Sequence, residues 1–245
     1  WIETPSIVRA SYTPADVYFE PETLPQAYLR AARRGGATVI SRTPVAQIKL
    51  QGGRVFAVVT DRGVIQTPVV VDAAGAWSAL VGNLVSVCIP VVPIRHQLLI
   101  TQPVPGIEPD HPIVRVMDTN VYVRPCQGGW MLGGYERQPR LFKPDDITLE
   151  TDIRQLELDI DVLTELAGKT AVLMPVFQNL KVREHRGGLP TMTIDGNPVV
   201  GPLPGLEGFY VISGCCVGGL AKSPALGRAL AETILGSEPA EDLHD

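Results

Sequence analysis

The chain has 245 residues and a formal net charge of −5, with 45% hydrophobic and 19% charged residues. This composition excludes intrinsic disorder, and the length suits one large domain or two modest ones. The mildly acidic balance argues against a nucleic-acid partner, and no apolar run approaches the ~18 residues of a membrane-spanning helix. Four cysteines without disulfide or metal-ligand spacing favour a reducing compartment, so we expect a cytoplasmic protein.

The N-terminal region is irregular and leads into the first predicted helix. Residue 1 is Trp rather than Met and no signal peptide is recognisable, so we expect the chain to begin inside a longer open reading frame. The segment from Thr23 to Gly35 predicts a helix, with Thr23 as its N-cap and Gly35 in the left-handed conformation at its end.

A β-rich region follows this helix. Apolar segments separated by glycine-containing turns predict mostly antiparallel strands, with hairpin turns at residues 52–53, 61–63 and 127–129. The predicted strands are Ala37–Ser41, Val45–Leu50, Arg54–Thr60, Val64–Asp72, Val91–Thr101, Ile113–Val116, Asn120–Pro125 and Trp130–Tyr135.

Two later segments have helical periodicity. Apolar residues recur every three or four positions over Thr151–Ala167, which predicts a long helix. After two more strands, a last helix is expected to begin at Ser223 as N-cap, with Pro224 in its first turn, and to end at Gly236. The whole pattern predicts an α+β fold with a large, mostly antiparallel sheet.

Three glycine-marked segments are candidates for ligand binding. The apolar strand at Val69–Asp72 runs into Ala-Ala-Gly-Ala-Trp-Ser, where small residues let a ligand approach the backbone. Gly214–Leu220 joins a strand to the last helix, which offers N–H donors and a positive dipole end to an anionic group. Arg186–Pro198 contains an Asp-Gly-Asn-Pro turn. Each segment is also compatible with a purely structural turn.

Several catalytic motifs do not occur in the sequence. There is no G-x-G pair, so neither a dinucleotide fingerprint nor a P-loop is present, and G-x-S-x-G and H-E-x-x-H do not occur either. The four histidines are scattered, and we predict no metal site. Adjacent Cys215 and Cys216 are interpreted as small buried side chains rather than a redox pair, because adjacent half-cystines need a strained peptide.

Several short motifs occur in a distinctive order along almost the whole chain. They are Glu20-Pro21 before a helix, Gly35–Ile40, Thr43–Val45, Gly53–Thr60, Val69–Trp77, Gly133–Glu136, Asp195–Gly201 and Gly214–Gly236. This order resembles the FAD-dependent amine and amino-acid oxidoreductases of the D-amino-acid oxidase superfamily. Within it, the Gly-Gly-Tyr-Glu motif ending at Glu136 and the segment Gly236–Leu243 most resemble the sarcosine and dimethylglycine dehydrogenase group.

The resemblance implies FAD as the cofactor and a small-molecule amine as the substrate, and it leaves the electron acceptor unknown. Tyr135, which ends a strand at a Gly-Gly step, and His96 are the candidate catalytic residues. The implied cofactor-binding residues are Val45, Ala74, Gly75, Trp77, Gly188, Leu189, Gly214, Gly218, Gly219 and Leu220. No metal ligand is implied.

Two positions depart from the family pattern. Gly188 stands where some relatives tether the flavin through Cys, and Pro190 stands where amino-acid oxidases of the family have a carboxylate-binding Arg. A carboxylate clamp would therefore need Arg95, Arg124 or Arg186 instead. The resemblance also implies that the G-x-G-x-x-G unit of the family is missing from these residues, so that they are inactive alone and need a missing N-terminal segment or another subunit.

The resemblance divides the chain by function. Residues 1–84 and 186–245 correspond to a partial FAD-binding layer, and residues 85–185 to a substrate-binding antiparallel sheet. The leading interpretation is FAD-dependent oxidation of a secondary or tertiary amine or an amino acid, with hydride transfer to the flavin and an imine product. The alternative is a non-catalytic regulatory or structural relative with the same fold. A plain β-rich interaction domain would leave the Gly214–Leu220 turn unexplained.

Overall fold

The computed structural model describes residues 2–3, 5, 7–179 and 181–240. Sequence interpretations that concern Trp1, His244 and the end of the segment Gly236–Leu243 lie outside these residues. The α-helices are α1 (Thr23–Arg34), α2 (Ser78–Asn83), α3 (Ile160–Thr170) and α4 (Gly219–Ile234). The strands are β1 (Val45–Gln51), β2 (Arg54–Thr60), β3 (Gly63–Gln66), β4 (Val70–Asp72), β5 (Val92–Pro93), β6 (His96–Thr101), β7 (Val114–Val116), β8 (Val121–Cys126), β9 (Gly129–Gly134), β10 (Val182–Gly188), β11 (Thr191–Met192), β12 (Val199–Pro202) and β13 (Phe209–Ser213).

These elements form two units. Unit 1 consists of Arg95–Arg140 together with the described residues of Trp1–Tyr18 and Asp152–Leu189. Unit 2 consists of Phe19–Ile94, Leu141–Thr151 and the described residues of Pro190–Asp245. The fold is α+β, as predicted.

Unit 1 is built on a five-stranded sheet in the order β10-β6-β9-β8-β7, in which every neighbouring pair is antiparallel. Side chains alternate along each strand, so that Val123 on β8 and Trp130 and Leu132 on β9 reach the same hydrophobic core. Helix α3 adds Leu163 and Leu166 to that core. Full burial of each large apolar side chain contributes about 1.5–3 kcal/mol, which makes this face the main source of stability of unit 1.

Unit 2 contains three small sheets, in the orders β1-β2-β3, β12-β13-β4 and β11-β5. Strands β4 and β13 are parallel, with Phe209 opposite Val70, whereas the other pairs are antiparallel. The carboxyl ends of β4 and β13 therefore meet at one edge of their sheet. Val55, Phe209 and Val211 are fully or almost fully buried in the core of this unit. The expected proximity of the segments 37–75 and 199–236 is confirmed by the β4–β13 pairing.

Three predicted strands are corrected by the structure. Val64–Asp72 divides into β3 and β4, which belong to different sheets, because Pro68 has no N–H to donate to a strand ladder. Val91–Thr101 likewise divides into β5 and β6. Ala37–Ser41 forms no strand, since no described segment pairs with it.

The helix ends are corrected as well. In α1 the N-cap is Glu22 rather than Thr23, and the left-handed residue is Gly36 rather than Gly35. The predicted helix Thr151–Ala167 is only partly helical, since α3 begins at Ile160, where the Asp159 side chain accepts a hydrogen bond from the Val162 N–H at 3.2 Å.

Helix α4 begins before the predicted Ser223. Its N-cap is Gly218, and Pro224 lies inside the helix rather than in a first turn. Pro224 cannot donate a backbone hydrogen bond to the carbonyl of Leu220, so the helix tolerates one missing bond near its start. Among the described residues, no helix has the length and apolar character that crossing a membrane requires.

Candidate active site

Three aromatic side chains lie together on one face of the unit 1 sheet. His96 begins β6, Tyr122 lies on β8, and Tyr135 directly follows β9. The His96 Nε2 and Tyr122 Oη atoms are 2.8 Å apart, which is a hydrogen-bond distance. The His96 ring centroid is 5.3 Å from that of Tyr135 and 6.0 Å from that of Tyr122. The two predicted catalytic residues are thus neighbours, and the structure adds Tyr122 to them.

The glycine pair before Tyr135 explains how Tyr122 reaches His96. Tyr122 on β8 pairs directly with Gly133 on β9. A Cβ atom at Gly133 would lie 2.3 Å from both Cζ and Oη of Tyr122, so any side chain there would displace the phenol ring. Gly133 therefore leaves room for the phenol ring to lie across β9. Two sequence features together could have indicated Tyr122: the alternation of side chains along β8, and the Gly-Gly step in β9, which leaves space for a large side chain on the paired strand.

Burial controls the protonation of this cluster. Desolvation lowers the pKa of His96 below its ordinary 6.5, and the negative charge of Glu136 opposes that shift. Desolvation, with a further contribution from Tyr135, raises the pKa of Tyr122 to about 12. At neutral pH the site thus presents a neutral imidazole beside a protonated phenol. A neutral imidazole can accept a proton, and a phenol can donate a hydrogen bond.

A charged network occupies the opposite face of the same strands. The Arg95 Nη2 atom lies 3.0 Å from Glu136 Oε2 and 3.5 Å from Asp159 Oδ2. The Gln97 side-chain amide donates to Glu136 Oε1 at 2.9 Å, and Gln97 Oε1 accepts from the Asp159 backbone N–H at 2.8 Å. The side chains of Arg95 and Glu136 are only 10% and 7% exposed. This pair is therefore a buried, hydrogen-bonded ion pair.

The three arginines considered for a carboxylate clamp all have partners. Arg95 is held by Glu136, Arg186 forms two hydrogen bonds with Glu184, and Arg124 donates to the backbone carbonyl of Pro125 at 2.9 Å. Burying Arg95 in this pair makes its guanidinium expensive to withdraw. A substrate carboxylate would have to compete with these contacts.

Gly188 lies beside the aromatic cluster. It ends β10 and pairs with His96 on β6. A Cβ atom added at Gly188 would have no neighbour within 4 Å, so the backbone at this point is open. Leu189, the next residue, is 8% exposed. The structure therefore joins Gly188, a predicted cofactor-binding residue, to the predicted catalytic histidine.

In unit 2, the turn after β4 is organised by Asp72. Its Oδ1 atom accepts hydrogen bonds from the Ala74 N–H at 2.9 Å and from the Ser78 hydroxyl at 3.2 Å. Gly75 has φ +57, and a Cβ there would have no neighbour within 4 Å. The Trp77 indole N–H donates to the Thr148 carbonyl at 2.9 Å. The predicted residues Ala74, Gly75 and Trp77 thus form one ordered turn.

The second turn, between β13 and α4, lies at the same sheet edge. The Ser78 and Ser213 hydroxyl oxygens are 3.1 Å apart, which links the two turns. Cys216 and Val217 both have positive φ, and a Cβ at Gly214 would lie 2.6 Å from Thr193 Cγ2. This tight turn ends at Gly218, and α4 begins at Gly219.

The remaining predicted cofactor-binding residues lie at two places in unit 2. The first backbone N–H groups of α4, at Gly219, Leu220 and Ala221, have no hydrogen-bond acceptor among the described residues. Leu220 is 42% exposed. Val45 is the first residue of β1, which belongs to a different sheet from β4 and β13. In the part of the chain that the structure describes, no group of three or more His, Cys, Asp or Glu is arranged to hold a metal ion.

Comparison with known proteins identifies the family. A model described as FAD dependent oxidoreductase, DAO, matches residues 2–233. The chain belongs to the DAO family. The predicted superfamily and FAD as the cofactor of that superfamily are thereby confirmed.

The DAO-family chain is similar to proteins of several activities. It is 31% identical to human sarcosine dehydrogenase, mitochondrial, over 95% of this chain and 26% of that protein. It is 29% identical to the mouse pyruvate dehydrogenase phosphatase regulatory subunit, mitochondrial, over 97% of this chain and 27% of that protein. It is 26% identical to glycine oxidase of Bacillus subtilis (strain 168), over 96% of this chain and 59% of that protein. The chain therefore spans about a quarter of the first two relatives.

Solved structures have the same fold. L-proline dehydrogenase from P. horikoshii matches with a TM-score of 0.74 and 26% identity, over 86% of this chain and 54% of that one. Glycine oxidase from Geobacillus kaustophilus matches with a TM-score of 0.71 and 25% identity, over 89% of this chain and 55% of that one.

The turns of unit 2 fit a cofactor that carries negative charge. The unpaired N–H groups at the start of α4 and the positive end of its dipole favour an anionic group. The open backbone at Gly75 permits close approach. The Asp72 Oδ2 atom is buried without a hydrogen-bond partner among the described residues, and burial raises the pKa of this carboxyl. Burial thus disfavours the negative charge of this carboxyl, which lessens its repulsion of such a group.

Proposed function

We propose that this chain belongs to an enzyme that oxidises a small secondary or tertiary amine, N-methylated amino acids included, with FAD as the hydride acceptor and an imine as the product. The observation that supports this best is the cluster of His96, Tyr122 and Tyr135 beside the open backbone of Gly188. Supporting similarity comes from sarcosine dehydrogenase and glycine oxidase.

The aromatic cluster is suited to binding an ammonium group. Ring centroids lie 5.3 to 6.1 Å apart, so a small cation would rest on the outer face or the edges of this cluster rather than between its rings. A cation on such a face gains about 0.5–2 kcal/mol, and methylated ammonium ions, which are weakly hydrated, lose little on entering. Tyr135 would form one wall of this site and Tyr122 another.

His96 would then prepare the amine. Because its pKa is lowered, the neutral imidazole can take the ammonium proton and leave the nitrogen lone pair free. In the tautomer that leaves Nδ1 free to take this proton, the His96 Nε2–H donates to the Tyr122 hydroxyl oxygen, and this bond fixes the orientation of the ring. Tyr122 itself stays protonated, since its pKa is raised to about 12. FAD, when bound, supplies the acceptor for the hydride of the C–H bond next to nitrogen. The imine would be hydrolysed by water.

We propose that the predicted cofactor-binding residues hold FAD through their backbone rather than through charged side chains. Gly188 and Leu189 would border the flavin ring next to His96. Gly219 and Leu220 would offer N–H groups to its electron-rich pyrimidine end. The N–H groups of Gly214 and Gly218 are bonded to Thr191 and Cys215, so these two glycines would instead let the backbone of the turn approach the ring. Ala74, Gly75 and Trp77 would line the turn after β4, and Val45 would contact the adenine. Residues 85–185 would be the substrate-binding part, and residues 1–84 and 186–245 the FAD-binding part.

The arginine contacts favour an amine that needs no arginine clamp. Arg95 is fully engaged with Glu136 and Asp159, and Pro190 stands where an amino-acid-binding Arg would be expected. We therefore propose that the substrate is recognised chiefly through its nitrogen. A panel of amines with and without a carboxylate, compared by kcat/KM, tests this preference.

A second candidate function is regulatory. The mouse pyruvate dehydrogenase phosphatase regulatory subunit is nearly as similar to this chain as sarcosine dehydrogenase is, and its name describes a regulatory protein rather than an oxidoreductase. This chain would then keep the fold without turnover.

The deciding experiment is anaerobic mixing of the full-length, FAD-loaded protein with a panel of small amines. Bleaching of the flavin absorbance by a secondary or tertiary amine supports the enzyme. We expect Tyr122→Phe to lower the bleaching rate roughly tenfold or more, because it releases the His96 ring, and a well-positioned acid–base group contributes about 10²–10⁴-fold. Tyr28→Phe, on the exposed helix α1, serves as the matched control. Flavin that no amine bleaches would favour the regulatory function.

We also propose a cytoplasmic location, because the four cysteines are free in the structure. Subcellular fractionation of the source cells tests it. Recovery with a membrane or organelle fraction would contradict it.

A further inference from the structure

Strands β6 and β9 are paired through their backbones over only three positions, which are Leu98 with Gly133, Leu99 with Leu132 and Ile100 with Met131. Beyond Leu98 and Gly133, towards His96 and Tyr135, side chains connect the two strands. Next to the first of these pairs, the Tyr135 N–H donates to the Asn120 carbonyl and the Arg95 N–H donates to the Arg140 carbonyl. Neither of these bonds joins β6 to β9. Yet His96 and Tyr135, the facing rings of the candidate site, both lie in this end.

Glu136 makes the missing connection. Its carboxylate accepts from the Gln97 amide at 2.9 Å and from Arg95 Nη2 at 3.0 Å, so it holds both neighbours of His96. Glu136 itself follows Tyr135 directly in the chain. The buried carboxylate of Glu136 therefore connects the two residues that flank His96 to the chain segment that carries Tyr135.

Alternation places the network behind the site. Successive residues of an extended strand point to opposite faces, so Arg95 and Gln97 point away from the face that carries the His96 ring. By the same alternation, the Glu136 side chain points away from the face that carries the Tyr135 ring. The network also reaches helix α3, since Asp159, its N-cap, donates its backbone N–H to Gln97. The support is thus made by packed, fully bonded groups rather than by a flexible loop.

We propose that Glu136 is a positioning residue that fixes the His96 and Tyr135 rings against each other from the opposite face of the sheet. Its consequence for turnover rests on the proposed function, whereas the geometry does not. Charged hydrogen bonds of this kind are stronger than neutral ones, and they are little screened when the partners are buried. Loss of the carboxylate should therefore loosen both rings while the remaining core of unit 1 keeps the fold.

The charge of Glu136 also reaches His96, since it opposes the lowering of the His96 pKa by burial. The other ionisable groups near His96 divide between the two faces of the sheet. On the face of His96 are Tyr122, Tyr135, Glu184 and Arg186, and on the opposite face are Arg95 and Asp159.

The test separates position from charge in the full-length protein. Histidines isotope-labelled at Cε1 report the titration midpoint of His96 by NMR, and fluorotyrosine reports the mobility of Tyr135. Glu136→Gln should move the His96 midpoint to lower pH and broaden the Tyr135 resonance. Gln97→Met, which keeps the charge but breaks one tie, should broaden Tyr135 and leave the His96 midpoint nearly unchanged. Glu136→Asp should bring the midpoint back towards that of the wild type.

Glu165→Gln removes an exposed ion pair with Lys169 on α3 and is the matched control, with no change expected in either resonance. The proposal is wrong if a folded Glu136→Gln protein keeps the wild-type midpoint and a sharp Tyr135 resonance. If Glu136→Gln does not fold, a sharp Tyr135 resonance in Gln97→Met overturns it instead. Both NMR results are independent of turnover, so a protein that oxidises no amine would contradict the proposed function and leave this proposal standing.

Discussion

Gly133 controls the candidate site by having no side chain. The Tyr122 phenol occupies the space where a Cβ atom of Gly133 would lie, 2.3 Å from the ring. The same ring reaches His96 with its hydroxyl group. A single residue of β9 therefore decides whether a tyrosine of β8 can bond to a histidine of β6.

We expect Gly133→Ala to destabilise the protein by about 1–3 kcal/mol, because an added methyl group in a packed region forces its neighbours to move. It should also break the His96–Tyr122 hydrogen bond. Chemical denaturation measures the first effect and the NMR signals of His96 the second. Gly168→Ala is the control, since a Cβ there meets nothing within 4 Å and α3 should gain about 0.5–1 kcal/mol. Equal stabilities of the two variants would contradict this account.

The protonation of His96 predicts a pH profile. Its folded pKa lies below 6.5, and only the neutral ring can accept a proton from the substrate. The value of kcat/KM for the full-length enzyme should thus not fall through His96 until the pH drops below 6.5. Tyr122, with a pKa of about 12, should add no basic limb near neutral pH. An acid limb that disappears in His96→Gln is assigned to His96. The prediction is contradicted if that limb is centred above pH 6.5.

The same shift has a consequence for stability. A histidine whose folded pKa is depressed binds fewer protons in the native state than in the unfolded state below pH 6.5. The free energy of unfolding therefore decreases as the pH falls through 6.5 towards the folded pKa. The buried imidazole is thus one of the groups through which acid destabilises unit 1.

At the scale of elements, the start of α4 brings backbone donors to a sheet edge. Because the helix begins at Gly219 and not at Ser223, its first N–H groups directly follow the turn after β13. The turn after β4 lies at the same edge, joined through the Ser78 and Ser213 hydroxyls. The earlier start places the helix dipole closer to this edge than the sequence indicated.

We expect Gly218→Val to lower the FAD content or the reduction potential of the full-length protein. The two glycines there leave the backbone open to an electron-rich ring, and N–H groups at a helix start stabilise the reduced anion. The fold should survive, because the nearest side-chain atom to a new Cβ is Cε of the flexible Lys222, at 3.2 Å. Absorbance and potentiometric titration measure both properties, and Gly227→Val in the same helix is the control. Wild-type flavin content and potential would make this turn a plain connector.

Helix α3 shows a different effect of context. Leu156 and Leu158 lie within the predicted helix Thr151–Ala167, yet a Cβ at Gly187 would approach both of their side chains, at 2.9 and 2.6 Å. Residues i and i+2 point to the same side only in an extended chain, so the contact of both Leu156 and Leu158 with Gly187 indicates an extended segment. Asp159 then caps the helix. Packing against β10 therefore shortened a helix that periodicity alone extended to Thr151.

At the scale of the whole molecule, the two units distribute the proposed chemistry. Unit 1 carries the aromatic cluster, its supporting ion pair and Gly188, whereas unit 2 carries the two glycine turns. Each unit has its own hydrophobic core. Gly133→Ala and Gly218→Val meet no common neighbour, Tyr122 in the first case and Lys222 in the second, so their effects on stability should be nearly additive.

We expect residues 1–245 to bind FAD weakly when they are tested alone. They contain no G-x-G pair, and close approach of a pyrophosphate to a helix start usually requires such glycines. Equilibrium dialysis with free FAD measures the affinity. Tight, stoichiometric binding would contradict this expectation, and the Gly218→Val variant would then show whether the α4 turn is responsible.

Much of this architecture is readable from the chain. Glycine turns and apolar alternation predicted the antiparallel sheet, and the order of motifs indicated the FAD-dependent family that the comparison confirmed. His96 and Tyr135 were chosen from the sequence, and the structure brings their rings to 5.3 Å. Their roles, like those of the predicted cofactor-binding residues, stay predictions.

The sequence by itself determined the fold class and the family, because strand alternation, turn residues and motif order are local properties of the chain. Only the tertiary structure decided where the strands break, how early α4 starts and which residues surround His96. Tyr122 reaches that histidine from β8, 26 residues further along the chain, and Glu136 bonds to the neighbouring Gln97 from 39 residues further along. Contacts over such distances depend on register and on the space left by Gly133, neither of which is encoded in any short segment.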